Sequence, residues 1–281
     1  MKKNRIICLF LCLFLFIQAP VAYATEAETT APAGPILPEP GSGAVGGEYQ
    51  DTEGDASIVT GCHTIEAQKP LWGSNKMLEA AGAAMLYEIN SGTMMYAWNP
   101  DMTMHPASLV KIMTALLAIE NGTLTDTVTV TKEALSGVAA GSVSAKLQVG
   151  EKLTLIDLIY CMLTGSANDA ASVIAVHIGG DIKSFVSMMN SRALELGCKD
   201  TNFVDPHGIE SKNQYTTARD MVRILRCATQ SDVFVDIFGA VSYTVPATNL
   251  SASRELKTAN YLTDATQTKY YNNRVTGGRT G

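Results

Sequence analysis

Charged side chains are scarce in this sequence. Asp, Glu, Lys and Arg account for 17% of the 281 residues, whereas about a quarter is usual for soluble proteins. This scarcity argues against long coiled coils and charge-rich helices. No run of Lys and Arg follows the first few residues, and the formal net charge is −6. An acidic chain without a basic stripe excludes nucleic acid as an expected partner.

Several metal-binding and hydrolytic motifs are also absent. The four histidines are scattered, and the chain has no H-E-x-x-H, no G-x-S-x-G and no C-x-x-C sequence. A zinc protease, an α/β-hydrolase and a cysteine-based zinc site are therefore unsupported. Cys161 and Cys227 lie in apolar, helical stretches and are expected to be core residues. The pairing of the cysteines stays open.

The N-terminus has the parts of a secretory signal peptide. A basic start, K-K-N-R, precedes an apolar segment at 6–17 and an A-x-A cleavage site at 22–24. The apolar segment is shorter than the ~20 residues that a membrane-spanning helix needs. Residues 1–24 are therefore predicted to be removed on export, which places the mature chain outside the cytoplasm, in the cell envelope.

Residues 25–61 are rich in Pro, Gly, Ala, Thr and Glu and predict a disordered acidic linker. They include a formal G-x-G-x-x-G at 41–46. That dinucleotide motif requires a preceding strand and a following helix, but Pro38-Glu39-Pro40 precedes it here. We therefore interpret the match as accidental and expect the folded domain to cover residues 62–281.

Periodicity and turn signals in the folded region predict an α+β fold. Two apolar runs around Ser91-Gly92 predict a β-hairpin, and Asp181 and Thr217 are predicted to cap helices. A hairpin, then helices, then strands is not the order of βαβ units. The predicted strands are 83–90, 93–98, 128–130, 241–245 and 274–280, and the predicted helices are 108–120, 153–163, 169–178, 182–196 and 218–228.

Ser108 and Lys111 form the first group of candidate functional residues. Positions i and i+3 share a helix face, and Ser108 stands at a predicted helix start. A serine hydroxyl becomes nucleophilic when an adjacent base takes its proton, and a desolvated lysine can be that base. Lys111 is the only charged residue between Asp101 and Glu120. A surface lysine beside a helix-capping serine is the alternative interpretation.

Ser166 and Asn168 form the second group. They lie at a predicted junction between two apolar helices, where packing would hold the turn rigidly. Turn and capping chemistry is the alternative, since both residue types suit it. The same S-x-N pattern recurs at 211–213 in a polar stretch that is typical of a surface loop.

The third group of candidate residues consists of Arg279, Thr280 and Gly281. Arg279 and the neighbouring hydroxyl of Thr280 can together hold a substrate carboxylate. Gly281 has no side chain to obstruct an approaching substrate backbone. Taken alone, these residues fit a polar chain end equally well.

The three groups together, in this order, resemble the motifs of the serine D-Ala-D-Ala carboxypeptidases, the low-molecular-mass penicillin-binding proteins. S-L-V-K at 108–111 matches the family's S-x-x-K, and S-A-N-D-A at 166–170 matches its S-x-N motif. R-T-G at 279–281 aligns with its K-T-G. Family-like stretches also occur at 202–208 and 215–221. The joint pattern is far more specific than any single motif.

The resemblance implies a β-lactamase/DD-peptidase-like transpeptidase fold, with an antiparallel sheet beside a helical subdomain and the active site between them. It implies that Ser108 is acylated, that Lys111 is its general base and that Ser166 relays a proton to the leaving amine. His207, in the stretch 202–208, is a further candidate. The implied substrate-binding residues are Asn168, Arg279, Thr280 and Gly281.

The implied reaction removes the last D-alanine from a peptidoglycan stem peptide that ends in D-Ala-D-Ala. β-Lactams are the implied inhibitors, because they acylate the same serine, and no cofactor or metal is implied. Family members continue beyond the third motif into further strands and often into a membrane-associating region. We therefore expect the catalytic domain at 62–281 to lack its C-terminal strands in this chain.

Two other functions stay open at this stage. A class A β-lactamase shares S-x-x-K, S-x-N and a third basic triplet but needs a Glu in an E-x-x-L-N setting, and no such setting occurs between Asn168 and Arg279. A non-catalytic sensor of β-lactams or stem peptides is the other. The intact Ser108, Lys111 and Ser166 argue against a sensor, whereas Arg279 in place of the usual lysine, together with the expected lack of C-terminal strands, leaves it open.

Overall fold

A computed structural model describes residues 81–209 and 212–281. The predicted signal peptide, the predicted linker, Cys62 and Ser211 lie outside the described residues. The strands are β1 (Ala84–Glu88), β2 (Thr93–Trp98), β3 (Thr127–Thr129), β4 (Lys152–Thr154), β5 (Ser242–Val245) and β6 (Arg254–Lys257). The α-helices are α1 (Val110–Asn121), α2 (Lys132–Ser136), α3 (Leu155–Leu163), α4 (Asn168–Gly179), α5 (Ile182–Glu195), α6 (Ala218–Ala228) and α7 (Asp232–Phe238).

The described strands pair as three antiparallel ladders, β1–β2, β3–β4 and β5–β6. The predicted hairpin is confirmed, and so is the α+β class. Each ladder in the described part of the chain has two strands. The hairpin turns its apolar side chains onto α6, where Met85, Tyr87 and Met94 pack against Ala218 and Val222.

The helices build the main core around α1. This helix is apolar on nearly every side, as a fully buried helix must be, and it contacts α3, α4, α5, α6 and α7. Its buried residues include Val110, Ile112 and Met113. Cys161 and Cys227 are buried core residues, as predicted, and neither forms a disulfide in the structure. No helix among the described residues is both long and apolar enough to cross a bilayer.

Both predicted helix caps are confirmed. The carboxylate of Asp181 accepts a hydrogen bond from the backbone N–H of Ser184 at 2.7 Å. The hydroxyl of Thr217 accepts one from the N–H of Asp220 at 3.1 Å. Such caps satisfy backbone donors that the first helical turn leaves unpaired, and they fix where α5 and α6 begin.

The predicted strand at 274–280 is wrong. No described strand forms a ladder with this segment, and a strand exists only through such pairing. Separate contacts hold the segment instead: Gly278 donates its N–H to Phe238 O at 3.3 Å, and Gly277 packs against Phe238. The pattern analysis also missed α2, α7, β4 and β6, which are short elements of three to seven residues.

Candidate active site

Lys111 lies in the first turn of α1 and is fully buried. Its Nζ donates hydrogen bonds to Ser108 Oγ at 2.9 Å, to Asn168 Oδ1 at 2.7 Å and to the backbone carbonyl of His207 at 2.6 Å. The alternative of a surface lysine is therefore wrong. The amine instead connects α1, α4 and the turn at 205–208 at a single point.

The environment of Lys111 changes its basicity. The pKa of the amine is lowered to about 7, mainly because burial removes the hydration of the charged form. The positive charge of Arg279 contributes to this lowering, whereas the carboxylate of Asp205 opposes it. Near neutral pH a large fraction of Lys111 is thus uncharged and able to accept the proton of Ser108.

Ser108 lies in a 3-10 turn, Ala107–Leu109, that leads directly into α1. Ala107 has φ +47°, in the left-handed region that non-glycine residues rarely adopt. This conformation bends the chain so that the half-buried Ser108 hydroxyl faces Lys111. The Ser108 N–H stands at the start of the helical segment, where the helix dipole favours a developing negative charge.

Gly208 packs against the backbone that carries Ser108. It has φ +86°, and a Cβ built on it would overlap with Ala107 O and approach Ser108 N to 2.9 Å. A glycine is therefore required here on two grounds, its conformation and the lack of space.

We expect Gly208→Ala to lower the free energy of unfolding by about 3 kcal/mol or more, because strain and steric overlap add. Gly180→Ala is the matched control, since Gly180 has φ +81° but no neighbouring atom within 4 Å of a built Cβ. Its loss should be limited to the conformational cost of about 1–2 kcal/mol. Denaturant unfolding of both variants checks this, and equal losses would show that the contact with Ala107 is unimportant.

Ser166 and Asn168 lie at the junction between α3 and α4, as predicted. Ser166 has φ +60°, and the N–H groups of Ala167 and Asn168 donate to Cys161 O and Val143 O at 3.0 and 2.9 Å. Two main-chain hydrogen bonds therefore fix the junction. Asn168 is buried at the first position of α4, and its side-chain oxygen reaches Lys111.

Asp169 is a residue at this junction that the sequence analysis missed. Its carboxylate accepts hydrogen bonds from Ser144 Oγ at 2.6 Å and from the N–H groups of Ala145 and Leu147 at 2.9 and 3.0 Å. It thereby ties the loop before β4 to the start of α4. Its place directly after S-x-N was the available sequence signal.

Arg279 turns its guanidinium toward the S-x-N junction. It donates to Ser166 Oγ at 2.6 Å, to Leu163 O at 2.8 Å and to Ser108 O at 3.4 Å. Burial lowers the pKa of Arg279 to about 10, so the group stays charged at neutral pH. The first and third motifs are thus joined through a single side chain that also orients the Ser166 hydroxyl.

The remaining candidates surround this cluster. Gly281 lies against the Ser108 backbone, and a Cβ built on it would be 3.1 Å from Pro106 O. Thr280 is exposed beside it. His207 is buried and contacts Lys111 through its carbonyl. In the described part of the chain, no three His, Cys, Asp or Glu side chains are grouped to hold a metal ion.

The comparison with known families shows to which protein family the chain belongs. A family model described as D-alanyl-D-alanine carboxypeptidase matches residues 72–281, which include all three motifs. The chain belongs to this family. The resemblance noted in the sequence is therefore confirmed.

Curated members of the family show the same relationship over part of their length. The chain is 33% identical over 172 residues to D-alanyl-D-alanine carboxypeptidase DacA of Haemophilus influenzae, covering 59% of this chain and 44% of that protein. It is 37% identical over 149 residues to DacC of Escherichia coli, covering 50% and 37%. The chain thus spans less than half the length of these two relatives.

Solved structures confirm the DD-peptidase fold. A mutant of a Streptomyces DD-transpeptidase superposes with a TM-score of 0.61 at 28% identity, covering 65% of this chain and 75% of that chain. Penicillin binding protein 5 from Haemophilus influenzae gives a TM-score of 0.58 at 30% identity, covering 64% and 53%.

Proposed function

We propose that this chain is a serine D-alanyl-D-alanine carboxypeptidase that removes the terminal D-alanine from peptidoglycan stem peptides. The observation that carries the proposal is a buried Lys111 amine with a pKa of about 7, placed 2.9 Å from Ser108 Oγ. A general base is most effective when its pKa lies near the working pH. The predicted signal peptide and the substrate together support a location in the cell envelope.

The proposed acylation begins when neutral Lys111 takes the Ser108 proton and Ser108 Oγ attacks the carbonyl carbon of the penultimate D-alanine. The Ser108 N–H supports the developing oxyanion. The peptide C–N bond breaks as Ser166 gives its proton to the leaving amine, and the lysine ammonium returns a proton to Ser166. D-Alanine departs and leaves an ester on Ser108, which a water molecule hydrolyses with Lys111 again as the base.

The same site accounts for β-lactam binding in this proposal. A β-lactam carbonyl acylates Ser108 in the way that the peptide carbonyl does, and the opened ring leaves slowly. A β-lactamase would need a second base to activate water, and the sequence has no E-x-x-L-N between Asn168 and Arg279. A sensor that binds its ligand without being acylated would not require a lysine whose pKa is shifted to the range in which a base works.

Release of D-alanine from a tripeptide ending in D-Ala-D-Ala tests the proposal, with the L-Ala-L-Ala peptide as control. We expect release from the D,D-peptide alone. Slow labelling by penicillin without D-alanine release would indicate a sensor, and rapid penicillin hydrolysis would indicate a β-lactamase. Cleavage of a cross-linked dimer without release of terminal D-alanine would indicate an endopeptidase, the activity for which a Pseudomonas aeruginosa relative at 32% identity is named.

Arg279 has two roles in the proposal, to orient Ser166 and to bind the terminal carboxylate. We expect Arg279→Ala to lower kcat/KM about 100-fold for a substrate with a free carboxylate and about tenfold for the matching amide, because a charge-assisted contact is lost only with the acid. Arg279→Lys should retain most of the acid's binding, since a cation remains. Equal losses on acid and amide would show that Arg279 acts only through Ser166.

A further inference from the structure

The turn at 205–208 is folded around the side chain of Asp205. One carboxylate oxygen accepts hydrogen bonds from the backbone N–H groups of His207 at 2.9 Å and Gly208 at 2.5 Å, and it lies 3.1 Å from His207 Nδ1. The other oxygen accepts from Gln214 Nε2 at 3.4 Å. A single carboxylate therefore determines the direction of the next carbonyl groups in the chain.

Those carbonyl groups accept hydrogen bonds from the buried face of α1. The His207 carbonyl accepts from Lys111 Nζ, and the Pro206 carbonyl accepts from Thr114 Oγ1, both at 2.6 Å. Lys111 and Thr114 are three residues apart and thus share one helix face. Both side chains are fully buried, so a displaced turn would leave two buried donors without these acceptors.

We propose that Asp205 is a positioning residue for the acylation of Ser108, which it serves by folding the turn that sets the His207 carbonyl against Lys111 Nζ; its negative charge also faces that amine. The inference rests on the proposed function, because it assigns Asp205 a part in the same reaction. Asp205 lies in the family-like stretch 202–208 but was not a candidate site residue, and its contribution is visible only where the turn meets α1.

The charges around Lys111 determine whether Asp205 favours the protonated or the neutral form of the amine. Arg279 and Asp205 are the charged groups that act on the amine, and its other side-chain partners, Ser108 and Asn168, are neutral. Burial by itself would raise the pKa of Asp205, but the hydrogen bonds from His207 and Gly208 hold it below its usual range. The ionised form of Asp205 is therefore favoured, and its negative charge favours the protonated form of Lys111.

The test is the second-order rate of acylation by a fluorescent penicillin, measured from pH 5 to 9. Asp205→Asn keeps an acceptor oxygen but removes the charge. In its pH–rate profile we expect the acid limb, where the acylation rate falls with decreasing pH, to move to lower pH, because Lys111 loses its proton more readily. The plateau, which is the maximal rate at higher pH, should fall less than about tenfold. Asp205→Ala removes the acceptor as well, and its plateau should fall about 10- to 100-fold.

Asp200→Asn is the matched control, because Asp200 is an exposed carboxylate five residues earlier in the chain. It should leave both the limb and the plateau at wild-type values. The same comparison is repeated in a His207→Gln variant. This substitution removes the imidazole but keeps the backbone carbonyl that contacts Lys111, so it shows whether the imidazole contributes to the shift. The shift caused by Asp205→Asn should persist there, and its disappearance would overturn the inference.

Wild-type acylation combined with an unmoved acid limb in Asp205→Asn would overturn the inference alone. A wild-type protein that penicillin does not acylate would overturn the proposed function, and the role of Asp205 with it. If Asp205→Ala does not fold, the isosteric Asp205→Asn still decides the question. A purely structural role would lower the plateau of both variants without moving the limb, which contradicts the proposal.

Discussion

Replacing Ser108 with alanine is expected to abolish both D-alanine release and covalent labelling by a fluorescent penicillin. The hydroxyl is the only group that the proposed mechanism acylates, so the loss in kcat should exceed about 10⁴-fold. The rest of the site should stay in place, because Ser108 Oγ is one of three partners of Lys111 Nζ. Gel fluorescence and an unfolding midpoint measured on the same preparation check the prediction.

Two serine controls accompany this variant. Ser91→Ala alters an exposed residue of the β1–β2 turn, and Ser211→Ala alters the second S-x-N, which we interpret as a surface loop. Both variants should label at the wild-type rate. Retained labelling of Ser108→Ala would rule out Ser108 as the nucleophile, and loss of labelling in Ser211→Ala would direct attention to the second S-x-N.

Replacing Lys111 with arginine is expected to lower the acylation rate by about 10³-fold. The substitution keeps the positive charge but replaces an amine of pKa about 7 with a guanidinium that stays protonated, so no base is available for Ser108. Lys152→Arg, an exposed lysine on β4, is the matched control and should be unaffected. A Lys111→Arg variant that acylates at the wild-type rate would reduce Lys111 to a structural cation.

The pH dependence of the wild-type protein follows from the ionisation of Lys111 and Arg279. Lys111 must be neutral to act as a base, so acylation should fall about tenfold for each pH unit below 7. Arg279 must be charged to bind a carboxylate, so substrate turnover should fall again above pH 10. The acid limb should be missing from the residual activity of Lys111→Arg, and its presence there would assign it to another group.

The motifs could be predicted from the sequence because each is local. An i, i+3 pair at a helix start and a polar junction between apolar helices are fixed by a few neighbouring residues, and the structure places Ser108, Lys111, Ser166 and Asn168 in those settings. The caps at Asp181 and Thr217 were predictable for the same reason. Each depends on a hydrogen bond to an N–H three residues ahead.

The contacts between the motifs and the conformation of residues 274–280 depend on long-range packing, which a local sequence pattern does not encode. Arg279 meets Ser166 across 113 positions of the chain, so sequence alone suggested a carboxylate-binding role and not the contact with the S-x-N junction. His207 was a candidate because it lies in the stretch 202–208, and the structure shows that its backbone carbonyl contacts Lys111. The segment 274–280 has strand-like composition, yet composition cannot supply the ladder partner that a strand requires.

Mass mapping of the penicillin adduct tests the central claim most directly. The chain is incubated with benzylpenicillin, digested and sequenced by tandem mass spectrometry. The account predicts one adduct with the mass of intact penicillin, attached through an ester to Ser108. An adduct on any other residue, or no adduct in a folded protein that still releases D-alanine, would contradict it.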